Sequence, residues 1–367
     1  MPEWQRQKFR FKGAVPGEWR YLDEWPQTVF APTERLYLEP RDALPLAQAL
    51  AADPAAGRGG SLSETSGVAS ALKLEYHPGR GGTDQSFGPT SYNGYFGIDH
   101  RDEDAYGLCF DTAPLKTPLE ILGFVKAHLF VSASAPVANW IVRLEDLAPD
   151  GTSYLITRGF LNGTHRRSHT HPEPLTPGEV YEVEVELMCT GYKFSPGHSI
   201  RVIVTNADFP VIWPSPYPMT TTLYTGGERP SLILLPVLPP LKYRSGHLPV
   251  MAESALDPPF TTSPPDAVRS YALTRDYSTG DTIATFDLGE SLIECRVNDA
   301  DPGKASLHLT TRAKRTAKDG RVIETRAVGA LTSTAQRFNM DMEVSLLEND
   351  KVIRSKRWSD EVPRDLL

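Results

Sequence analysis

At 367 residues the chain is long enough for two or three domains of roughly 100 to 200 residues each, and far too long to be an isolated motif. Its 38 Lys+Arg against 46 Asp+Glu give a formal net charge of −8, which excludes the basic excess that draws phosphate backbones and sets general nucleic-acid binding aside. The 32 prolines make up about 9% of the chain against a usual ~5%, which weighs against long helices. Hydrophobic residues at 40% and charged ones at 23% supply packed cores and exclude a disordered tail.

The opening segment MPEWQRQKFRFKG is basic and lacks the apolar stretch of roughly 7 to 15 residues that a signal peptide requires. A brief helix is expected near Ala43 to Ala52. A Gly/Ser-rich stretch from Gly57 to Gly97 follows with little periodicity, and a loop of that length in a compact domain usually carries function or mobility. Strands then follow one another. Val125, Ala127, Leu129 and Val131 alternate, and the run Trp140 to Leu147 reaches Pro149-Asp150-Gly151 before Thr152 to Phe160 resumes, which predicts a hairpin. Tyr181, Val183, Val185 and Leu187 face one way and Glu182, Glu184 and Glu186 the other, the pattern of a half-buried strand. Ile200, Val202 and Val204 repeat it after the turn at Pro196-Gly197.

The apolar run Ser231 to Leu241 is broken by Pro236, Pro239 and Pro240, well short of the roughly 20 residues that span a bilayer. Proline concentrates again between Pro239 and Pro265, as in an inter-domain linker. Beyond it Phe338, Met340, Met342, Val344 and Leu346 alternate, with Asn349-Asp350 turning into a returning strand from Lys351 to Trp358. The expected fold is all-β: a sandwich or jelly roll over residues 31–245, a Pro-rich linker over 246–265 and a smaller β domain over 266–367.

Catalytic signatures are missing. Gly59-Gly60-Ser61-Leu62-Ser63 and Gly151-Thr152-Ser153-Tyr154-Leu155 approach Gly-x-Ser-x-Gly but lack its second glycine. No HExxH, P-loop or GxGxxG occurs, so no cofactor is indicated. His169-Thr170-His171 could present two imidazoles on one strand face, but Pro172 follows and no partner stands at a diagnostic spacing; an exposed loop pair is the plainer reading. Arg312, Lys314, Arg315, Lys318 and Arg321 surround Asp319-Gly320 as solvated charges flanking a turn. Cys109, Cys189 and Cys295 are scattered with no CxxC, which indicates neither a disulfide framework nor a zinc cage and suits a reducing, cytoplasmic setting.

An ordered series of segments resembles a known family. Trp19 to Pro26, Thr33 to Leu38, Leu108-Cys-Phe-Asp-Thr-Ala-Pro-Leu115, Leu119 to Gly123, Asp146 to Gly151, Leu161 to Arg166, Leu175 to Glu179, Phe194 to Arg201 and Pro230 to Pro236 together resemble the C-terminal region of X-Pro dipeptidyl-peptidase and cocaine-esterase-type serine hydrolases. The resemblance covers about residues 15–238 and implies a galactose-binding-like jelly roll. In that family the Ser, Asp and His belong to an α/β-hydrolase domain that precedes the jelly roll, so the resemblance transfers no triad residue to this chain, and residues 1–30 are expected to be a connector from that domain. The implied partner is the α/β-hydrolase domain, whose substrate cleft the jelly roll helps wall. The loop from Tyr76 to Asp104, with Tyr92, Tyr95, Phe96, Asp99 and His100, is the candidate for the surface facing that cleft or, equally, for an inter-domain or dimer contact without substrate, and His198 is expected to be structural. Trp213, in a Pro-aromatic crossover, is either a ligand platform or a packing element.

Two other readings stand beside this one. In the first, the chain is a free-standing carbohydrate- or small-ligand-binding module using Trp213, Tyr217 and Tyr95. In the second, it is an oligomerisation unit. In the hydrolase reading, the face that meets the catalytic domain is expected to be apolar and, if unpartnered, to promote self-association, with Trp4, Phe9, Phe11, Trp19 and Trp25 as the candidate patch.

Overall fold

The computed structural model describes residues 20–21, 34–41, 47–48, 59–82, 99–238, 244–245, 260–261 and 270–367. It is almost all β and forms two compact units. The first comprises Met1–Ile212 and Pro218–Leu248 with Leu366, and the second Trp213–Tyr217 and Pro249–Asp365 with Leu367. Of the helix expected near Ala43 to Ala52, only Ala47 and Gln48 are among the described residues, and both are helical.

The strands of the first unit are β1 (Arg20–Tyr21), β2 (Glu34–Pro40), β3 (Gly59–Ser63), β4 (Ser70–Glu75), β5 (Leu108–Asp111), β6 (Leu119–Gly123), β7 (Lys126–Ala133) and β8 (Asn139–Leu147). They continue with β9 (Ser153–Asn162), β10 (Tyr181–Glu186), β11 (Thr190–Phe194), β12 (Ser199–Thr205), β13 (Thr220–Thr225), β14 (Leu232–Leu235) and β15 (Arg244–Ser245). A single-turn helix, α1 (Arg101–Asp104), precedes β5.

Hydrogen bonding runs β4-β13-β7-β14-β2-β3-β5-β12-β8-β9, with β10 also on β7. β7 joins the two arms of this all-β sandwich, because Lys126, Ala127 and His128 pair with β14 while Phe130 to Ala133 pair with β13. The alternation expected of β10 is present: Tyr181, Val183 and Val185 are buried and the intervening glutamates exposed. Gly197 turns β11 into β12 at φ +83°, where a Cβ would be strained.

β8 departs from simple alternation, since both its faces are buried. Trp140, Val142 and Leu144 lie on the apolar face, with Leu144 opposite Val202 and Val202 opposite Phe110. Such cross-strand partners share a side of the sheet, and fully burying each large apolar side chain contributes on the order of 1.5–3 kcal/mol. The other face carries the rows Cys109–Ile203–Arg143 and Asp111–Arg201–Glu145. Two of these charged residues, Arg143 and Glu145, are fully inside the fold, and Arg201 and Asp111 are half-buried beside them, because chain segments cover this face.

The second unit is an antiparallel meander of β17 (Ser270–Asp276), β18 (Asp281–Asp287), β19 (Ser291–Asn298), β20 (Ser306–Ala317), β21 (Val322–Ser333), β22 (Arg337–Glu348) and β23 (Lys351–Pro363), with β16 (Phe260–Thr261) paired to β20. Asn349 and Asp350, at φ 49° and 66°, form the two-residue turn between β22 and β23, as a tight hairpin requires. The basic residues around Asp319-Gly320 are paired: Arg312 with Glu324, Arg315 with Glu290, Arg321 with Asp319 and Glu348, and Lys314 with Asp350. Met340 and Met342 alternate as expected, yet they remain 40% and 42% exposed. They lie on the last but one strand of the meander, where the apolar face that buries Phe286, Ile293 and Cys295 runs out toward the β23 edge.

Candidate functional site

The described ends of the segment between β4 and β5 are anchored by a buried layer of charge. α1 and the residues around it lie over the polar face of β5, β12 and β8. Asp104 accepts hydrogen bonds from Arg143 Nη2 and Arg201 Nη1, each at 3.0 Å. Arg201 in turn grips Asp111 with two bonds of 2.7 and 2.8 Å, the bidentate geometry that favours arginine over lysine. Glu103 accepts from the backbone N–H of Gly81 at 3.0 Å, which ties the outgoing end of the loop to its return. Beside it the Arg80 guanidinium stacks over the Tyr106 ring at 3.3 Å, and the Arg80 carbonyl accepts from Phe209 N–H at 2.7 Å. Arg158 and Asp208 form a further buried pair at 3.1 Å.

Asp99 and His100 stand at the returning end. His100 N–H donates to the Ser153 carbonyl at 2.9 Å, and its ring Nδ1 lies 3.6 Å from Glu145 Oε1. Partial burial acts to raise the Asp99 carboxyl, but hydrogen bonds from Arg101 and from Ser153 N–H outweigh it and hold the group below the usual carboxylate range. Tyr92, Tyr95 and Phe96 fall outside the described residues. Trp213 belongs to the second unit, where its indole N–H donates to Ser333 Oγ at 3.1 Å and its ring meets Phe338 edge to face at 5.9 Å.

Ser153, His100 and Glu145 gather the three residue types of a hydrolytic triad, but their geometry is different. Ser153 Oγ–H donates to Glu145 Oε2 at 2.5 Å, so the carboxylate and not the imidazole receives the serine proton's hydrogen bond. All three residues are at most 1% exposed. A nucleophile needs a base in hydrogen-bond reach and an approach for substrate. This group instead closes a clamp: Glu145 also faces Arg143 Nε at 3.0 Å, and burial pushes its carboxyl up to about 8 in spite of that positive neighbour. Two guanidiniums, Arg143 and Arg201, face three carboxylates, Asp104, Asp111 and Glu145, so a proton retained on the most buried acid balances the layer.

His198, expected to be structural, meets Asp146 from the turn before β12, Nδ1 to Oδ1 at 2.8 Å. The other Asp146 oxygen accepts from Tyr192 O–H at 2.7 Å, and burial followed by the nearby carboxylate pushes that phenol up. Cys109 Sγ–H donates to the Asp104 carbonyl at 3.3 Å, and burial pushes its thiol up to about 12. The three histidines of the 165–171 loop do not build a metal centre: His171 Nδ1 lies 3.0 Å from Thr170 Oγ1, and no group of three ligating side chains occurs among the described residues.

Sequence reasoning placed Asp99 and His100 on the loop but missed Asp104, Arg143, Glu145 and Arg201 as one cluster. Its trace was present in β8, where Arg143 and Glu145 stand two apart inside an otherwise apolar run and therefore share a face.

The profile of the X-Pro dipeptidyl-peptidase C-terminal non-catalytic domain matches residues 2–234. The cocaine esterase of Rhodococcus sp. (strain MB1 Bresler) is 31% identical over 243 residues, covering 60% of this chain and 40% of that protein. A putative serine esterase of Mycobacterium bovis is 34% identical over 161 residues, or 39% of this chain and 26% of the relative. The chain thus spans less than half the length of the curated relatives it matches. Among solved structures, an aminopeptidase of a marine-sediment Thaumarchaeota archaeon aligns over 56% of this chain and 36% of its own, with 21% identity and a TM-score of 0.46. With the matched profile spanning strands β1 to β14, whose sandwich has just been described, the chain belongs to the X-Pro dipeptidyl-peptidase C-terminal non-catalytic domain family.

Proposed function

We propose that this chain is the accessory C-terminal region of a serine hydrolase of the X-Pro dipeptidyl-peptidase or ester/amide hydrolase type. In this reading its jelly roll packs on an α/β-hydrolase domain and helps wall the substrate cleft, and the covalent acyl-enzyme chemistry belongs to that partner. The observation that carries the reading is the buried Ser153–Glu145 hydrogen bond, which occupies a serine lying beside a histidine and an acid and leaves it no role as a nucleophile.

The clamp also supplies a use for the loop. Fixing both ends of this segment to a rigid sheet lets the residues between them meet a neighbour; Tyr92, Tyr95, Phe96 and Asp99 are the residues assigned to that contact, and His100, 1% exposed, belongs to the anchor behind them. Residues 1–30 serve as the connector and 246–265 as the linker to the small β domain at 266–367. The setting is cytoplasmic, with neither nucleic acid nor membrane as partner.

The test compares the chain alone with the chain mixed with an α/β-hydrolase domain from a family member. Alone it should neither hydrolyse aminoacyl-proline or simple ester substrates nor react with a fluorophosphonate probe. The mixture should bind and show a KM that shifts when Tyr95→Ala is introduced. Stoichiometric probe labelling of a serine in the isolated chain would overturn the proposal.

A further inference from the structure

The second unit ends in a feature that the hydrolase reading does not use. β23 is a 13-residue strand paired on one side only, to β22, among the described residues. Nearly all its residues are exposed, including Val352, Ile353 and Trp358. A long edge strand presents a row of unpaired N–H and C=O groups and is a template for another strand. Next to this edge lies the uncovered part of the apolar face: Met342 is opposite Trp358, and Met340 follows two residues away on the same side of β22.

The charges along β23 say what fits that edge. Lys351, Arg354, Lys356 and Arg357 occupy its first half, and Asp360 and Glu361 follow Trp358. An antiparallel copy of the same strand sets the basic half of each chain against the acidic half of the other. With the two-fold axis at Trp358, the two tryptophans stand opposite each other. Lys356 then faces Asp360 of the second copy on both sides of the axis, Arg357 faces Ser359 and Ser355 faces Glu361. All these pairs keep their faces in register, because equal parity is preserved, so Met342 and Trp358 of one chain continue as one apolar row into Trp358 and Met342 of the other, flanked on each side by a Lys356–Asp360 pair. Centring the axis on Lys356 or Arg357 would place two like charges directly opposite, which is unfavourable.

We propose that two copies of this chain associate through antiparallel pairing of their β23 edges centred on Trp358, an isologous contact that joins the two meanders into one continuous sheet. About 11 residues pair on each side, a ladder of roughly 37 Å at ~3.4 Å per residue. The occupant is a second copy and not an unrelated extended peptide, because the strand's charge order is complementary to its own reverse.

Sedimentation velocity on the full chain tests the proposal, with circular dichroism to verify folding. The wild type should dimerise. Lys356→Asp and Asp360→Lys each set like charges opposite at both symmetric positions and should weaken the dimer about tenfold or more. The double variant restores opposite charges and should recover most of the loss. A wild-type chain that stays monomeric, a dimer indifferent to the single changes, or a double variant no better than the singles would each overturn the β23 pairing. None of these outcomes bears on fluorophosphonate reactivity, so the accessory-region reading stands or falls separately.

Discussion

Asp104, at the end of α1, accepts from Arg143 on β8 at 3.0 Å, and their side chains are 5% and 3% exposed. This bond pins the returning end of the long loop to the sheet, and Arg201 strengthens it from the other Asp104 oxygen. Removing one partner strands a buried charge, which costs more than the pair itself contributes. Asp104→Ala should therefore lower the unfolding free energy by about 3–5 kcal/mol, read from urea denaturation. A loss below about 1 kcal/mol, the range of an exposed pair, would show that the cluster is hydrated.

Glu145 gives the same layer a pH dependence. Burial raises its carboxyl from 4.5 to about 8, with His100, Arg143, Asp104 and Ser153 as the groups that face it. Between those two values the folded chain keeps a proton that the unfolded chain has lost. This contribution to stability is complete below about pH 4.5 and declines as pH rises toward 8, by up to about 1.4 kcal/mol per pH unit. Glu145→Gln keeps an acceptor for Ser153 and removes the titration, so chemical denaturation between pH 5 and pH 8 should give a flatter stability profile than the wild type. Identical slopes for the two proteins would refute the assignment.

The sheets were legible in the sequence because their signal is local. The alternation of Tyr181 to Leu187, the Pro149-Asp150-Gly151 hairpin and the Gly197 turn each lie within a few residues of one another. The charged layer was not legible, because Asp104, Arg143 and Arg201 lie 39 and 58 positions apart in succession and meet only through the pairing of β5, β12 and β8. Period-two reading also assumes one wet face for each strand. It assigned Arg143 and Glu145 no cover, because the cover comes from a helix of four residues, too short to show periodicity. Met340 and Met342 illustrate the converse: alternation identifies the strand, but exposure depends on what lies across from it.

Tyr192 and Asp146 test a second buried contact. The tyrosine O–H donates to a carboxylate that is 1% exposed and also holds His198. Tyr192→Phe deletes the donor at almost constant shape, and a hydrogen bond to a charged group contributes roughly 1.5–3 kcal/mol. Thermal and urea unfolding should both show a loss in that range. His198→Ala combined with Tyr192→Phe should cost less or more than the sum of the single changes, since both partners share one carboxylate. Strict additivity would separate them.

The three cysteines should differ sharply in reactivity, since the thiolate is the nucleophile. Cys189 is exposed, whereas Cys295 is buried, and burial pushes Cys295, like Cys109, up to about 12. At pH 8 such thiols are ionised to only about one part in ten thousand. Titration with a chromogenic disulfide reagent should show one fast thiol in the native chain and the other two only on unfolding. Cys189→Ser should remove the fast phase. Because the Cys109 thiol is bonded to the Asp104 carbonyl, Asp104→Ala should also release a second thiol under native conditions, as the helix that covers it loosens. A variant in which Cys109 stays protected would mean that α1 remains seated without its buried ion pairs, and that the loop is anchored by Glu103 and Gly81 instead.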